Sequence, residues 1–396
     1  MISYMTRINY GAVIAEMVES TGFTKSVLSM AVTGGFITYA AGQIFCGIIG
    51  DRLSPKFMIT FGLLLTASMN LLIPFQTSPY AMLVIWCFNG IGQAFMWPPI
   101  VRVASTVFSE SEYKKAIMWI SWGASFGTIA VYLMSPLLIA LSGWKLVFIV
   151  SASLAFLMVL LWLLFFKEKE IKVKLEENSL KKRHELSSKL SESNAKAARK
   201  LLFQPAMIAI FFAIIFHGAL RDSVMTWMPS FINETYHLGT KMSILTGVII
   251  PVFSMVIVAA ATWYSEKKSP NPAFAGGLFF SLSVIATTLL IFTIGKIAPL
   301  SIFGSAVVSG SMHGVNFFLV SIVPMMFARY GRASTVSGLL NASAYLGSAV
   351  STYGIAAVTE NVGWGSTVYI WLLFAAVGTI LCFVAAKPFE KRMKRA

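Results

Sequence analysis

The sequence predicts an all-α membrane protein with twelve transmembrane helices in two related six-helix bundles. Two observations set the class. Hydrophobic residues make up 57% of the 396 and charged residues 12%, about half the charged share of a soluble chain. Windows of roughly 18 to 25 apolar residues recur from end to end, each long enough to cross a ~30 Å hydrocarbon core. A third observation, the pairing of charged positions between the halves, sets the two-bundle arrangement. The apolar runs lack the period-2 alternation of a membrane β-barrel.

Apolar runs lie near residues 1–17, 26–50, 57–75, 80–107, 113–141, 144–166, 204–232, 242–264, 272–295, 298–327, 333–358 and 365–386. The longest polar interval, KEKEIKVKLEENSLKKRHELSSKLSESNAKAARK, divides them six and six. The expected organisation is therefore an N-terminal bundle over 1–166, a linker over 167–203, a C-terminal bundle over 204–387 and a basic tail over 388–396. The linker mixes Lys and Glu without a wide apolar stripe, which predicts a solvated, partly helical connector that touches anionic lipid. Cys46, Cys87 and Cys382 fall in separate apolar runs and read as buried thiols rather than a disulfide or metal set. The N-terminus shows no basic region, h-region and cleavage site of a signal peptide. About sixteen residues separate Pro205 from Arg221, roughly 24 Å of helix, against six before Arg7, roughly 9 Å. Equal depth for the two arginines predicts a truncated first helix, with ten or more residues preceding Met1 in the native protein.

The formal charge of +15 is topogenic. With the loop after helix two placed in the cytoplasm, cytoplasmic stretches hold 24 of the 31 Lys and Arg, and the opposite loops hold Lys25, Lys145, Lys241 and Lys296. Both termini then face the cytoplasm of an inner or plasma membrane. This distribution excludes a nucleic-acid partner.

Arg7, Arg102 and Arg221 remain, within or at the ends of helices. Arg7 lies 44 residues before Asp51 in GIIGDRLSPK, and Arg221 lies 45 before Glu266 in TWYSEKKSPN, an offset of 214 to 215 between the halves. Repeats in one orientation place a binding site between the bundles. A charge at mid-membrane costs several kcal/mol unless it meets water or a partner. Arg7 and Arg221 across one cavity form a permanently charged, multi-donor site for phosphate or carboxylate. Neutralisation of Arg221 by the adjoining Asp222 is expected to be geometrically poor, because successive helical residues point about 100° apart.

Gly47 and Gly50 permit close helix approach, and Asp51–Arg52 end the second helix, as Glu266–Lys267 end the eighth. An acid there caps a helix or pairs with a base to latch the cytoplasmic side. This G-x-x-x-D-R resembles the loop motif of major facilitator superfamily transporters. D-R-x-x-P-K, with FMWPPIVRVASTVFSESE, SYMTRINYG (Tyr4, Arg7, Asn9) and LRDSVMTWMPSF, resembles the organophosphate:phosphate antiporter branch, which includes glycerol-3-phosphate and hexose-phosphate transporters. The similarity spans the whole chain. It implies a major facilitator fold, with the two arginines as substrate-phosphate ligands. The chain departs from the branch at Ile8, where a Lys is common, at Ala124, where a His is expected, and at Gly218, where a Tyr is frequent.

Asp222 either carries a coupling proton, contacts substrate hydroxyls or pairs with another helix's polar group. His217, four residues before Arg221, and His313 are candidates to donate to an anion. Gln93, Asn89 and Asn316 are candidate lining residues. Small residues in SWGASFGT and SGLLNASAYLG allow tight packing of helices five and eleven. There is no catalytic constellation, metal spacing, P-loop or cofactor motif. The expected function is secondary active transport of a small organic anion by a monomer, with organophosphate:inorganic phosphate exchange as the leading reading. The alternatives are proton-coupled symport of a sugar acid or other carboxylate, and a membrane sensor of sugar phosphate.

Overall fold

Proline and glycine set most of the helix boundaries. Among the residues described in the computed structural model (1–49, 53–100, 103, 110–166, 199–268, 270–327 and 333–395) the first half contains α1 (Ile2–Thr21), α2 (Lys25–Ile49), α3 (Pro55–Leu72), α4 (Pro79–Ala94), α5 (Glu110–Ser142) and α6 (Trp144–Phe165). The second half contains α7 (Pro205–Tyr236), α8 (Thr240–Thr246 and, after a break, Ile249–Lys268) and α9 (Pro272–Thr293). α10 (Ala298–Val315) is continued by a π-helical turn, Asn316–Ile322, and by Val323–Met326. One helical trace, Ala333–Arg395, is interrupted at Gly363 by φ 78° and ψ 178°; α11 precedes this break and α12 follows it.

Prolines at the first helical turn open α3, α4, α7, α9 and α10, where the missing N–H has no intrahelical partner to lose. Ser54 and Asn271 cap α3 and α9 by accepting from backbone amides one turn on. Gly22 at φ 73° closes α1, a left-handed conformation that suits glycine.

The described residues include ten stretches long and apolar enough to cross a membrane. The last, Val336–Lys391, contains both α11 and α12, and α1 stands outside this set. The predicted six-and-six arrangement is therefore present. α12 runs as helix through the expected basic tail to Arg395. Asp51, Arg52 and most of the linker lie outside the described residues. Gly47 falls in the last turn of α2, and Glu266 and Lys267 are exposed at the end of α8.

Interior prolines free carbonyls, and the other bundle satisfies one of them. Pro229 inside α7 cannot donate to the carbonyl of Met225, four residues earlier. The Tyr132 hydroxyl of α5 donates to that oxygen at 2.9 Å. The same ring lies against Gly247 at the break in α8, where an added Cβ would come within 2.8 Å of it. Tyr132→Phe is expected to cost about 1 kcal/mol by orphaning the Met225 carbonyl, read as a lower melting temperature in a detergent thermal-shift assay.

A polar belt joins the bundles at the end formed by the α1–α2 and α7–α8 turns. Glu19 accepts from Asn233 Nδ2 at 3.0 Å and Thr240 Oγ1 at 2.9 Å. Lys25 pairs with Glu234, which also accepts the Trp364 indole N–H at 3.0 Å. Glu360 accepts the backbone N–H of Ser26 at 2.8 Å and its hydroxyl at 2.7 Å, so one bundle caps a helix of the other. Glu360→Ala combined with Glu234→Ala is expected to shift the population toward opening at this end by roughly tenfold. A lengthened distance between spin labels at the exposed Thr24 and Asn361 is the check.

Candidate anion site

The site is built from α1, α2, α7 and α11. α7 and α11 approach closely because neither carries a side chain at the crossing. An added Cβ on Gly218 would lie 1.9 Å from the Ala344 carbonyl oxygen, and one on Gly347 would lie 1.9 Å from that of Ile215. Gly218, the position where the family resemblance led to a Tyr, is thus occupied by the backbone of α11. Hydrogen bonds lock the crossing. Ser351 Oγ donates to the Ala219 carbonyl at 3.0 Å, and Trp227 Nε1 donates to that of Thr352 at 3.0 Å.

This packing brings Ser348 of α11 onto Asp222 of α7. The Ser348 hydroxyl donates to Asp222 Oδ2 at 2.6 Å. Arg221 meets the same carboxylate through two donors, Nε to Oδ1 and Nη2 to Oδ2, each at 2.8 Å. The sequence expectation that this pairing is geometrically poor is therefore corrected. Cα–Cβ directions do diverge by about 100°, but the arginine side chain is long enough to curl back and present its fork bidentately. Both side chains are about nine-tenths buried.

Arg7 occupies different surroundings. Its guanidinium carbon lies 4.7 Å from the ring centre of Tyr39, 5.0 Å from Tyr345, 5.5 Å from Phe36 and 5.7 Å from Tyr4. These rings supply cation–π attraction, and among the described residues no carboxylate pairs directly with Arg7, Asp222 acting on it only at longer range. Among the described residues its one hydrogen bond is to the Tyr345 hydroxyl, at 3.4 Å. Arg221 stands over the same ring, 5.5 Å from its centre. Tyr345 therefore links the two arginines, one from each half of the chain. Arg7, Arg221 and Asp222 together carry a single net positive charge.

The predicted residues divide by location. Tyr4, Arg7, Arg221 and Asp222 converge. His217 is fully buried one turn before Arg221, with its ring against the Met312 backbone and neither nitrogen in hydrogen-bond geometry among the described residues. His313, half-buried in the last turn of α10, lies within electrostatic range of Arg221 and Asp222. Gln93 is committed elsewhere: it accepts from Ser3 Oγ at 2.7 Å and donates to the Ser3 carbonyl and Thr6 hydroxyl at 3.0 and 3.1 Å. Asn89 joins the same seam, which ties α1 to α3 and α4 through Asn9 and Asn70.

Sequence reasoning missed Phe36, Tyr39, Tyr345 and Ser348. Tyr345 sits among Ala, Ser and Gly in NASAYLG. A hydroxyl inside the membrane has to find a partner, and that was the available signal.

The comparisons agree with this architecture. Over 96% of this chain and 87% of its own length, a probable hexose phosphate transport protein of Chlamydia muridarum is 22% identical. The membrane sensor protein UhpC of Salmonella typhimurium is also 22% identical, over 96% of this chain and 87% of its own. A crystal structure of a bacterial homolog of the human lysosomal transporter Spinster, inward-facing and occupied, superposes with a TM-score of 0.80 at 14% identity, covering 99% of this chain and 95% of that one. Residues 1–352 match the family profile described as Major Facilitator Superfamily, from α1 into α11. This chain is a transporter-fold protein belonging to that superfamily.

Proposed function

We propose that the chain carries a small organic anion across the membrane by alternating access, holding it between Arg7 and Arg221. The convergence of one arginine from each bundle on the Tyr345 ring supports this reading. A ligand held there contacts both halves, so rocking one bundle against the other exposes it to either side. Several relatives carry names for the transport of phosphorylated compounds. They support exchange of an organophosphate for inorganic phosphate as the first reading, with the protein in the cell membrane and both termini in the cytoplasm.

The Arg221–Asp222 pair favours a second reading, proton-coupled symport of a sugar acid or other carboxylate. In this reading a carboxylate ligand takes the Arg221 fork and releases Asp222, and a buried carboxylate freed of its arginine takes up the coupling proton. Proteoliposomes containing the full chain separate the two. Counterflow of labelled phosphate against hexose phosphate, unaffected by a protonophore, is the result of exchange. Uptake of a labelled sugar acid that collapses on adding protonophore is the result of symport. Equal uptake by protein-free liposomes in every arm overturns both.

A further inference from the structure

We propose that Asp222 is a resident counter-anion that makes this site select singly charged anions over doubly charged ones. The inference rests on the reading of Arg7 and Arg221 as the anion site and adds a rule for what that site accepts.

Asp222 is not a loose neighbour of the site. It fills the Nε–Nη2 edge of Arg221, the edge a guanidinium uses for bidentate recognition. Ser348 fixes it from the opposite helix, and the Gly218 and Gly347 contacts hold that helix against α7. Among the described residues Arg7 has no such partner, and it faces four aromatic rings. The site therefore offers one committed and one open guanidinium.

Charge decides between ligand classes. A monoanion neutralises the single net positive charge of Arg7, Arg221 and Asp222. A dianion leaves one negative charge uncompensated in a buried place, or must expel Asp222 from Arg221. Either route is strongly disfavoured in a low-dielectric setting. The other polar groups near the arginines are the hydroxyls of Tyr4, Tyr39 and Tyr345 and the imidazole of His313, none of which adds a fixed charge to this balance. The class selected is thus a monoanion: a carboxylate, a sulfonate, or a phosphate or organophosphate in its singly charged form.

The test uses sulfate and methanesulfonate, which share a tetrahedral sulfur–oxygen head and differ by one fixed charge. Binding is read as thermal shift and by titration calorimetry on the full chain, at matched ionic strength, for wild type, Asp222→Asn and Asp222→Glu. Wild type should bind methanesulfonate at least tenfold more tightly than sulfate. Asp222→Asn should narrow or invert that ratio by at least tenfold through a gain in sulfate affinity, and Asp222→Glu should keep the wild-type order. A sulfate affinity equal to or above that of methanesulfonate in wild type overturns the proposal. So does an unchanged ratio in Asp222→Asn, or no response to methanesulfonate. Failure of the underlying arginine reading looks different: Arg7→Lys and Arg221→Lys then leave both affinities intact, whatever Asp222 does.

Discussion

Replacing Arg7 or Arg221 by Lys is expected to weaken binding of the transported anion by a hundredfold or more, with folded protein retained. The two positions lose affinity for different reasons. At Arg7 the lysine keeps a charge but loses the planar fork and the stacking on Tyr39 and Tyr345. At Arg221 it loses the two-point pairing with Asp222, so the carboxylate competes with the ligand for a single ammonium. Truncating one partner of a buried, hydrogen-bonded charge pair costs about 2 to 5 kcal/mol; the loss of the planar fork at these buried positions is expected to fall in the lower part of that range, and 2.7 kcal/mol corresponds to about a hundredfold. Size-exclusion elution and melting temperature check the fold, and titration with the anion identified in proteoliposomes checks the affinity. An affinity within threefold of wild type in both variants removes the arginines from the site.

The second large effect concerns the crossing of α7 and α11. Gly218→Val and Gly347→Val each place side-chain atoms where a carbonyl oxygen of the facing helix lies within 2 Å of Cβ. The obstacle is backbone, so no side-chain rotation relieves it, and the helices must separate. Separation breaks the Ser348–Asp222, Ser351–Ala219 and Trp227–Thr352 hydrogen bonds together. We expect a loss of more than 3 kcal/mol, seen as aggregation in detergent or a collapsed thermal transition. Gly338→Ala on α11 is the control, because an added Cβ there meets nothing within 4 Å, and near-wild-type stability is expected.

What was legible in the sequence follows from which interactions are local. Twelve helices could be read because each apolar run answers to bilayer thickness alone, and prolines at first turns and Gly22 or Gly143 between helices mark the ends. Arg7 and Arg221 could be read because a charge inside an apolar run has few explanations. Their partners could not. Tyr39 meets Arg7 from the neighbouring α2 and Tyr345 meets it from the other bundle, and both contacts depend on how α2 packs on α1 and α11, which no local pattern specifies. The Arg221–Asp222 pair was misjudged because backbone directions were used where side-chain length decides. Gln93 was visible as an intramembrane amide, yet its orientation toward Ser3 and Thr6 rather than the arginines depends on helix rotation. Gly218 was noted as a departure from the family pattern. Its reason emerged with the backbone of Ala344 against it.

The central claim is that one anion is held jointly by Arg7 and Arg221. A double-mutant cycle on Arg7→Lys and Arg221→Lys, reading anion affinity by calorimetry in all four proteins, tests it most directly. The account predicts strong non-additivity, with the double variant losing little more affinity than either single one. Losses that add within about 0.5 kcal/mol would mean that the two arginines act separately, and would contradict it.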